Sequence, residues 1–450
     1  MRAFLPMIAL AAIATLPVPR ATSAATAYVG ATVHPVSSAE LEDATVLVEN
    51  GKITAIGTSL ALPADAEVID MSGLHLYPGF VHPLSALGLT EISSVRGTRD
   101  HTEIGDINSD IRSEVAFNAD SELLPVAMSG GILTAHVAPK GGLFRGTSAV
   151  LQLEGWNWED MTLSGSVGMH LAFPASRPPR QGFGTPPSEE EIKERKEEAL
   201  KTINDTLDDA EAYAKAMAAA GAGSARKPAF DAKLAGLGPV LTGEQPLFVY
   251  AEEYSQIKEA LDWAKERELE NLILVTGPDA AHLADRLASE KVRVLLNGVL
   301  VRPSRDWEPY DTGYTAAKRL HEAGVEFCIG DGGGSFDAAH VRNLPFHAAM
   351  AAAFGLPKDV ALRSVTLSAA EMLGIGDRVG SLETGKDATF IATNGDPLEV
   401  RTQILGAWIE GEKIDFSLDR QRRLYKKYDG RPRPDGTAPA VEGIRDKGKG

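Results

Sequence analysis

Apolar and polar positions along this chain fall into two rhythms. From residue 27 to 75, and again near the far end, they alternate with a period of two, as half-buried strands do. Residues 44–49 and 52–56 flank Asn50-Gly51, a pair that favours a type I′ hairpin turn because both residues tolerate positive φ. Residues 407–410 and 413–416 flank Gly411-Glu412 in a similar way. Neither end has enough strands to bury a face alone, which predicts one β-sandwich assembled from residues 25–75 and 377–420. Between the ends the rhythm changes. Short apolar runs at 132–137, 247–251, 272–276, 292–296 and 325–329 read as buried parallel strands. Helical patterns separate several of them, such as 253–267 with Ile257, Leu261 and Ala264 on one face. Repeated strand–helix units predict an α/β fold, a TIM-type (β/α)8 barrel over residues 76–376. A doubly wound sheet is the alternative, ranked second because the chain has no glycine fingerprint for a dinucleotide.

Residues 174–245 break the strand–helix rhythm. Residues 174–187 are rich in proline and arginine and predict an exposed loop. Ser188 and Glu191 fit a capping box, in which each side chain satisfies the other's backbone N–H. A charged helix is predicted from there to about residue 220, with Gly221 available as its cap. The insertion reads as a lid, as a contact surface for a homo-oligomer, or as a solvated decoration. Residues 421–450 read as a tail.

Composition narrows the function. The 450 residues carry a formal net charge of −17, with 44% hydrophobic and 24% charged residues. Such a balance is ordinary for a soluble globular protein and argues against nucleic acid or anionic membrane surfaces as partners. Arg2, an apolar run over 4–16, Pro17, Pro19 and the small residues Thr22-Ser23-Ala24 read as a signal peptide over 1–24, implying a secreted or periplasmic protein with no membrane span after cleavage. Cys328 is the single cysteine, so no intrachain disulfide forms, and its apolar setting marks a core residue.

Five segments carry a resemblance. They are the hairpin over 46–56, Leu76-Tyr77-Pro78-Gly79-Phe80, Arg342-Asn343-Leu344-Pro345-Phe346, Val365-Thr366-Leu367-Ser368-Ala369-Ala370-Glu371-Met372-Leu373-Gly374, and residues 380–397. Together they resemble the secreted, imidazolonepropionase-like branch of the metal-dependent amidohydrolase superfamily, over nearly the whole mature chain. The resemblance implies a barrel with a composite sandwich. It also implies a parent activity, hydrolysis of C–N bonds in cyclic amides or dipeptide-like substrates with zinc or another divalent metal as cofactor. In that family an H-x-H pair follows the first barrel strand, two middle strands each carry a His, and an Asp ends the last. Here the first pair is Leu84 and Ala86, Tyr250 stands where one His is expected, and Val275-Thr276-Gly277-Pro278 lacks the other. Asp331 alone keeps the place the family pattern gives it and is the catalytic candidate.

The loss is large in energy. Zinc brings bound water from a pKa of about 15.7 to about 7, worth about 12 kcal/mol at about 1.4 kcal/mol per unit. A catalytic zinc takes about three protein ligands. A lone carboxylate acting as general base contributes only about 10²–10⁴-fold. A relocated metal site would draw on His82, His101 and His136 beside Asp331. If the first strand is regular, His82, Leu84 and Ala86 share a face. Arg96 and Arg99 can fork onto a carboxylate, and with His82 and Tyr250 they form the candidate substrate-binding set. The glycine-rich stretch from Lys140 to Ser148 reads as a loop lining the pocket. No G-x-S-x-G elbow is present. Two functions stand: a hydrolase with a rearranged or metal-free site centred on Asp331, and a non-catalytic pseudoenzyme whose barrel mouth binds a small molecule or a partner.

Overall fold

The computed structural model describes residues 25–177, 187–224, 226–429 and 431. The expected signal peptide and most of the expected tail lie outside the described residues. Five strands open the described chain: β1 (Thr26–Val33), β2 (Leu41–Glu49), β3 (Lys52–Gly57), β4 (Glu67–Asp70) and β5 (His75–Pro78). Ten follow: β6 (Phe80–Ser85), β7 (Ile132–Val137), β8 (Phe144–Thr147), β9 (Ala149–Gln152), β10 (Thr162–Ser164), β11 (Met169–Ala172), β12 (Leu247–Tyr250), β13 (Leu272–Thr276), β14 (Arg293–Asn297) and β15 (Phe327–Gly330). The last three are β16 (Phe390–Thr393), β17 (Ile404–Ile409) and β18 (Glu412–Lys413).

The two ends of the chain build one eight-stranded sheet, in the order β18-β17-β16-β5-β1-β2-β3 with β4 paired to β1. The antiparallel pairing of β5 with β16 joins them, Tyr77 opposite Ile391. Asn50 and Gly51 take φ of 50° and 77°, as a type I′ turn requires. The second hairpin turns one residue earlier than the sequence suggested. Glu410 and Gly411 hold φ of 49° and 80°, Glu412 already starts β18, and Phe416–Leu418 is a 3-10 turn. The cause is a close approach. The Gly411 N–H donates to the Ala388 carbonyl, and a Cβ on Gly51 would stand 2.9 Å from the Glu410 carbonyl oxygen. The two hairpin turns therefore pack on each other, and the sheet curls around its own core. Tyr28, Phe390 and Trp408 anchor that core with ring centroids 4.9–5.2 Å apart.

The middle of the chain forms a TIM-type barrel. β6 and β7 run parallel, and so do β11 to β15. They belong to two hydrogen-bonded sheets, β10-β9-β7-β6 and β15-β14-β13-β12-β11-β8. β15 lies beside β6 and brings the wall round. The regular strand–helix alternation is interrupted after β7, where β8, β9 and β10 stand in place of a crossover helix. Along β12 to β15 the side chains alternate. Phe248, Ile273, Val275, Leu295 and Cys328 fill the interior, whereas Leu247, Val249, Leu274, Leu296 and Ile329 pack against the surrounding helices. The helix Leu367–Met372 plugs the end where the strands begin, with Met372 Sδ 3.4 Å from Cys328 Sγ. Burial pushes the Cys328 thiol well up, as suits a core residue.

The expected capping box is present at Ser188 and Glu191, and its helix runs Glu189–Gly221. It is not a solvated decoration. Ile203, Leu207 and Ala210 are buried in the main core, Trp263 Nε1–H donates to Asn204 Oδ1 at 2.9 Å, and Arg267 pairs with Asp208 at 2.6 Å. These contacts fix it to the helix Tyr254–Glu266, in the barrel's outer layer.

Phe390 is 1% exposed and touches both of its aromatic neighbours. Phe390→Ala leaves a cavity and is expected to cost about 3–5 kcal/mol in chemical denaturation. A cost below about 1 kcal/mol would mean that the curled sheet does not rest on this core.

Candidate functional site

Pro83 spoils the regularity of β6. The pairing of β6 with β7 shifts register between His82 and Ser85, and Val81 and Leu84 both pack inside the barrel. His82 pairs across the ladder with Ala135, which packs on the helix-facing side. The expectation that His82, Leu84 and Ala86 share one face is therefore corrected: the bulge at proline parts His82 from Leu84. Leu84 is 1% exposed and Ala86 is fully buried. Gly333, at φ +67°, presses on this leucine so closely that a Cβ there would stand 2.7 Å from Leu84 Cγ. Hydrocarbon and glycine backbone fill the space where the resemblance expects an imidazole pair. Neither Leu84 nor Ala86 carries an atom that could bind the family's metal there.

Two buried polar clusters flank that space. The first lies in the wall. His82 Nε2 is 3.0 Å from Asp331 Oδ1, with side chains 0% and 2% exposed. Neither Asp331 oxygen has an aligned hydrogen-bond partner, nor has either His82 nitrogen. His347, from the helix Leu344–Ala353, completes the cluster and accepts the Val299 N–H at 3.1 Å. Burial pushes the Asp331 carboxyl up, but the facing imidazoles of His82 and His347 outweigh it and hold the group below the ordinary carboxylate range. The interior position at this end of β15 is Gly330, whose missing Cβ points towards Leu295 and Asn297.

The second cluster lies inside the barrel. His136 on β7 and His170 on β11 are both fully buried, with ring centroids 5.6 Å apart and Phe248 against both. His136 Nδ1–H donates to the Pro83 carbonyl at 2.6 Å. A carbonyl only accepts, so Nε2 carries the lone pair, and it has no partner. His170 Nδ1 lies 2.8 Å from the Tyr250 hydroxyl, and the Arg145 guanidinium stacks 4.2 Å above the Tyr250 ring. Burial pulls His136 down to about 4 and His170 well below its ordinary value, and it pushes Tyr250 up to about 12. All three are uncharged at neutral pH.

The other expected site residues are scattered. Arg96 and Arg99 are exposed around the 3-10 turn Arg96–Thr98. His101 is buried and bonded through Nδ1 to Thr90 Oγ1 at 2.9 Å. Among the described residues, His82, His101, His136 and Asp331 do not bring three donor atoms within 4.8 Å of one another, whereas Asp279, His282 and Glu308 do. Its two carboxylates are already paired. Arg305 donates to Asp279 at 2.6 and 3.0 Å and to Glu308, and the Tyr254 N–H donates to Asp279 at 2.9 Å. Cavities of about 730 and 530 Å³ lie elsewhere, the second against Arg293 and Phe327, where β14 and β15 begin. Sequence reasoning passed over His170, since the run Met169–Ala172 is only four residues long. It noted the stretch holding Lys140 and Arg145 for its glycines and not for its cations.

The amidohydrolase family pattern matches residues 251–421. Over 402 residues the chain is 24% identical to amidohydrolase tasK of Hapsidospora irregularis, covering 81% of this chain and 39% of that protein. The chain thus spans about two fifths of that relative's length. It is similar in fold to an amidohydrolase from Thermotoga maritima MSB8, with TM-score 0.76, 23% identity and coverage of 87% of this chain and 99% of that one. It is also similar to molinate hydrolase, with TM-score 0.53, 16% identity and coverage of 94% and 100%.

His136 gives a pH signature. The unfolded imidazole takes a proton near pH 6.5, whereas the folded one resists until about 4. Its contribution is therefore whole above about pH 6.5 and declines as pH falls towards 4, by on the order of 3 kcal/mol. His136→Asn keeps a donor for the Pro83 carbonyl and removes the titration. The stability gap between wild type and variant, measured by denaturant unfolding, is expected to narrow in the variant's favour as pH drops through that window. A gap that stays constant would refute the assignment.

Proposed function

We propose that the chain is an exported member of the amidohydrolase superfamily, a pseudoenzyme whose barrel mouth binds a small molecule instead of hydrolysing it. Its motif set at 342–346, 365–374 and 380–397 supports the imidazolonepropionase-like branch, and the pattern over 1–24 supports export. The observation that carries the reading is the packing of Leu84 against Gly333, with Ala86 fully buried nearby. Restoring metal chemistry there would take new donors and also the removal of a backbone segment from the place where they would stand. Tyr250 and Thr276 at the ends of β12 and β13 add no imidazole.

A metal-free hydrolase centred on Asp331 is the second reading, favoured by the His82–Asp331 contact at 3.0 Å. An ionised carboxylate beside an imidazole can accept a proton, although one held below the ordinary carboxylate range is a weak base. Its side chain is 2% exposed, however, so a substrate cannot reach it without moving the wall. A general base alone supplies about 10²–10⁴-fold, well short of the acceleration of at least about 10⁶ typical of enzymes. Among the described residues no helix is long and apolar enough to cross a membrane.

Elemental analysis of the purified chain, without added chelator, is expected to find substoichiometric zinc, manganese, iron, cobalt and nickel. Amide, lactam and dipeptide hydrolysis should not rise when these ions are added. One tightly held metal per chain together with metal-stimulated hydrolysis would overturn the proposal. Hydrolysis that persists in full without metal and disappears in Asp331→Asn would favour the second reading.

A further inference from the structure

Two cations at the end of the barrel where its strands finish have no task in the account so far. Lys140 lies three residues beyond β7, held by its backbone N–H to the His101 carbonyl at 2.5 Å. Its ammonium reaches the glycine-rich loop after β15, where a Cβ on Gly334 would stand 3.8 Å from Lys140 Nζ. Arg145, on β8, stacks on Tyr250 at the end of β12. Tyr250 is itself fixed by His170. The ends of β7, β12 and β15 thus gather around two positive groups.

Neither group is neutralised at short range. Among the described residues, no carboxylate lies within the 4.0 Å of an ion pair from Lys140 or Arg145. Arg145 Nε is buried with no hydrogen-bond partner. Burial, and then the charge of Arg145, hold the Lys140 ammonium below its ordinary value. Partly desolvated like charges are costly unless an anion meets them, and a guanidinium locked on an aromatic face loses little freedom when it binds one. In a chain of net charge −17 such a place stands out. The acidic groups facing Lys140 at longer range are Asp337 and Glu252. They temper the positive potential without pairing with either cation, which disfavours a dianion and leaves the unpartnered Arg145 Nε–H as the donor a single carboxylate would meet.

We infer that Lys140 and Arg145 form a carboxylate clamp, and that the ligand of the barrel mouth is a small monocarboxylate. This rests on the binding function proposed above and names its ligand class. Of the buried clusters below, only His170 bears on the clamp, by fixing Tyr250 under Arg145.

Isothermal titration with N-acetylglycine, N-acetylglycinamide and inorganic phosphate tests it. N-Acetylglycine is expected to bind at least about tenfold more tightly than the amide or phosphate, a charge-assisted hydrogen bond being worth roughly one such factor. Lys140→Gln and Arg145→Gln should each weaken it about tenfold, with melting temperatures confirming that both variants are folded. Equal binding of acid and amide, unchanged in both variants, would overturn the clamp and leave the binding function standing. Tighter binding of phosphate would overturn the monocarboxylate assignment. Failure of every probe to bind at tens of millimolar would overturn both the clamp and the binding function.

Discussion

Leu84 and Gly333 are in contact, and that contact shapes the rest of the barrel's working end. A Cβ at position 333 would overlap the leucine, and the backbone there is left-handed at φ +67°, so glycine is required twice over. The leucine in turn joins Val81, Phe248, Leu295 and Cys328 in one buried apolar cluster. Imidazoles lower in the barrel, His136 and His170, lie against Phe248 of the same interior. Each finds one protein partner through Nδ1.

The polar residues follow from that constraint. His136 turns Nδ1–H to the Pro83 carbonyl and His170 turns Nδ1 to Tyr250, so each buried ring keeps one partner and stays uncharged. Asp331 leaves the strand end and faces His82 and His347 in the wall. A carboxylate held below its ordinary range by two imidazoles is a stable structural group, and the same burial that makes it stable keeps substrate away. At the rim, Arg145 stacks on Tyr250, and burial holds the Lys140 ammonium below its ordinary value.

Much of this was legible in the sequence. Period-two alternation with Asn50-Gly51 located the first hairpin, and the strand–helix rhythm with five motif segments located the barrel and its composite sheet. The loss of imidazole at 84 and 86 could be read directly, because identity alone decides whether a side chain can donate an electron pair. Direction was harder. The bulge at Pro83 sends His82 to the opposite side from Leu84, and no alternation rule foresees a register shift. His170 lies on a four-residue strand whose apolar pattern is too short to register, and it matters only because β11 pairs with β12 beside Tyr250. The charges of the helix Glu189–Gly221 left lid, contact surface and solvated decoration all open, and it is three buried positions and Asn204 that bind it to the barrel. The turn at Glu410 shifted by one residue because a distant hairpin packs on it, which is a tertiary cause.

The central claim is that the barrel's metal position has been replaced by packed hydrocarbon and backbone. Anomalous diffraction at the zinc edge, from crystals of the protein grown in excess zinc, tests it most directly. The account expects no peak in the region bounded by Leu84, Ala86 and Asp331, with Gly333 still seated on the leucine. A fully occupied peak there, ringed by several nitrogen or oxygen donors of this chain, would contradict it.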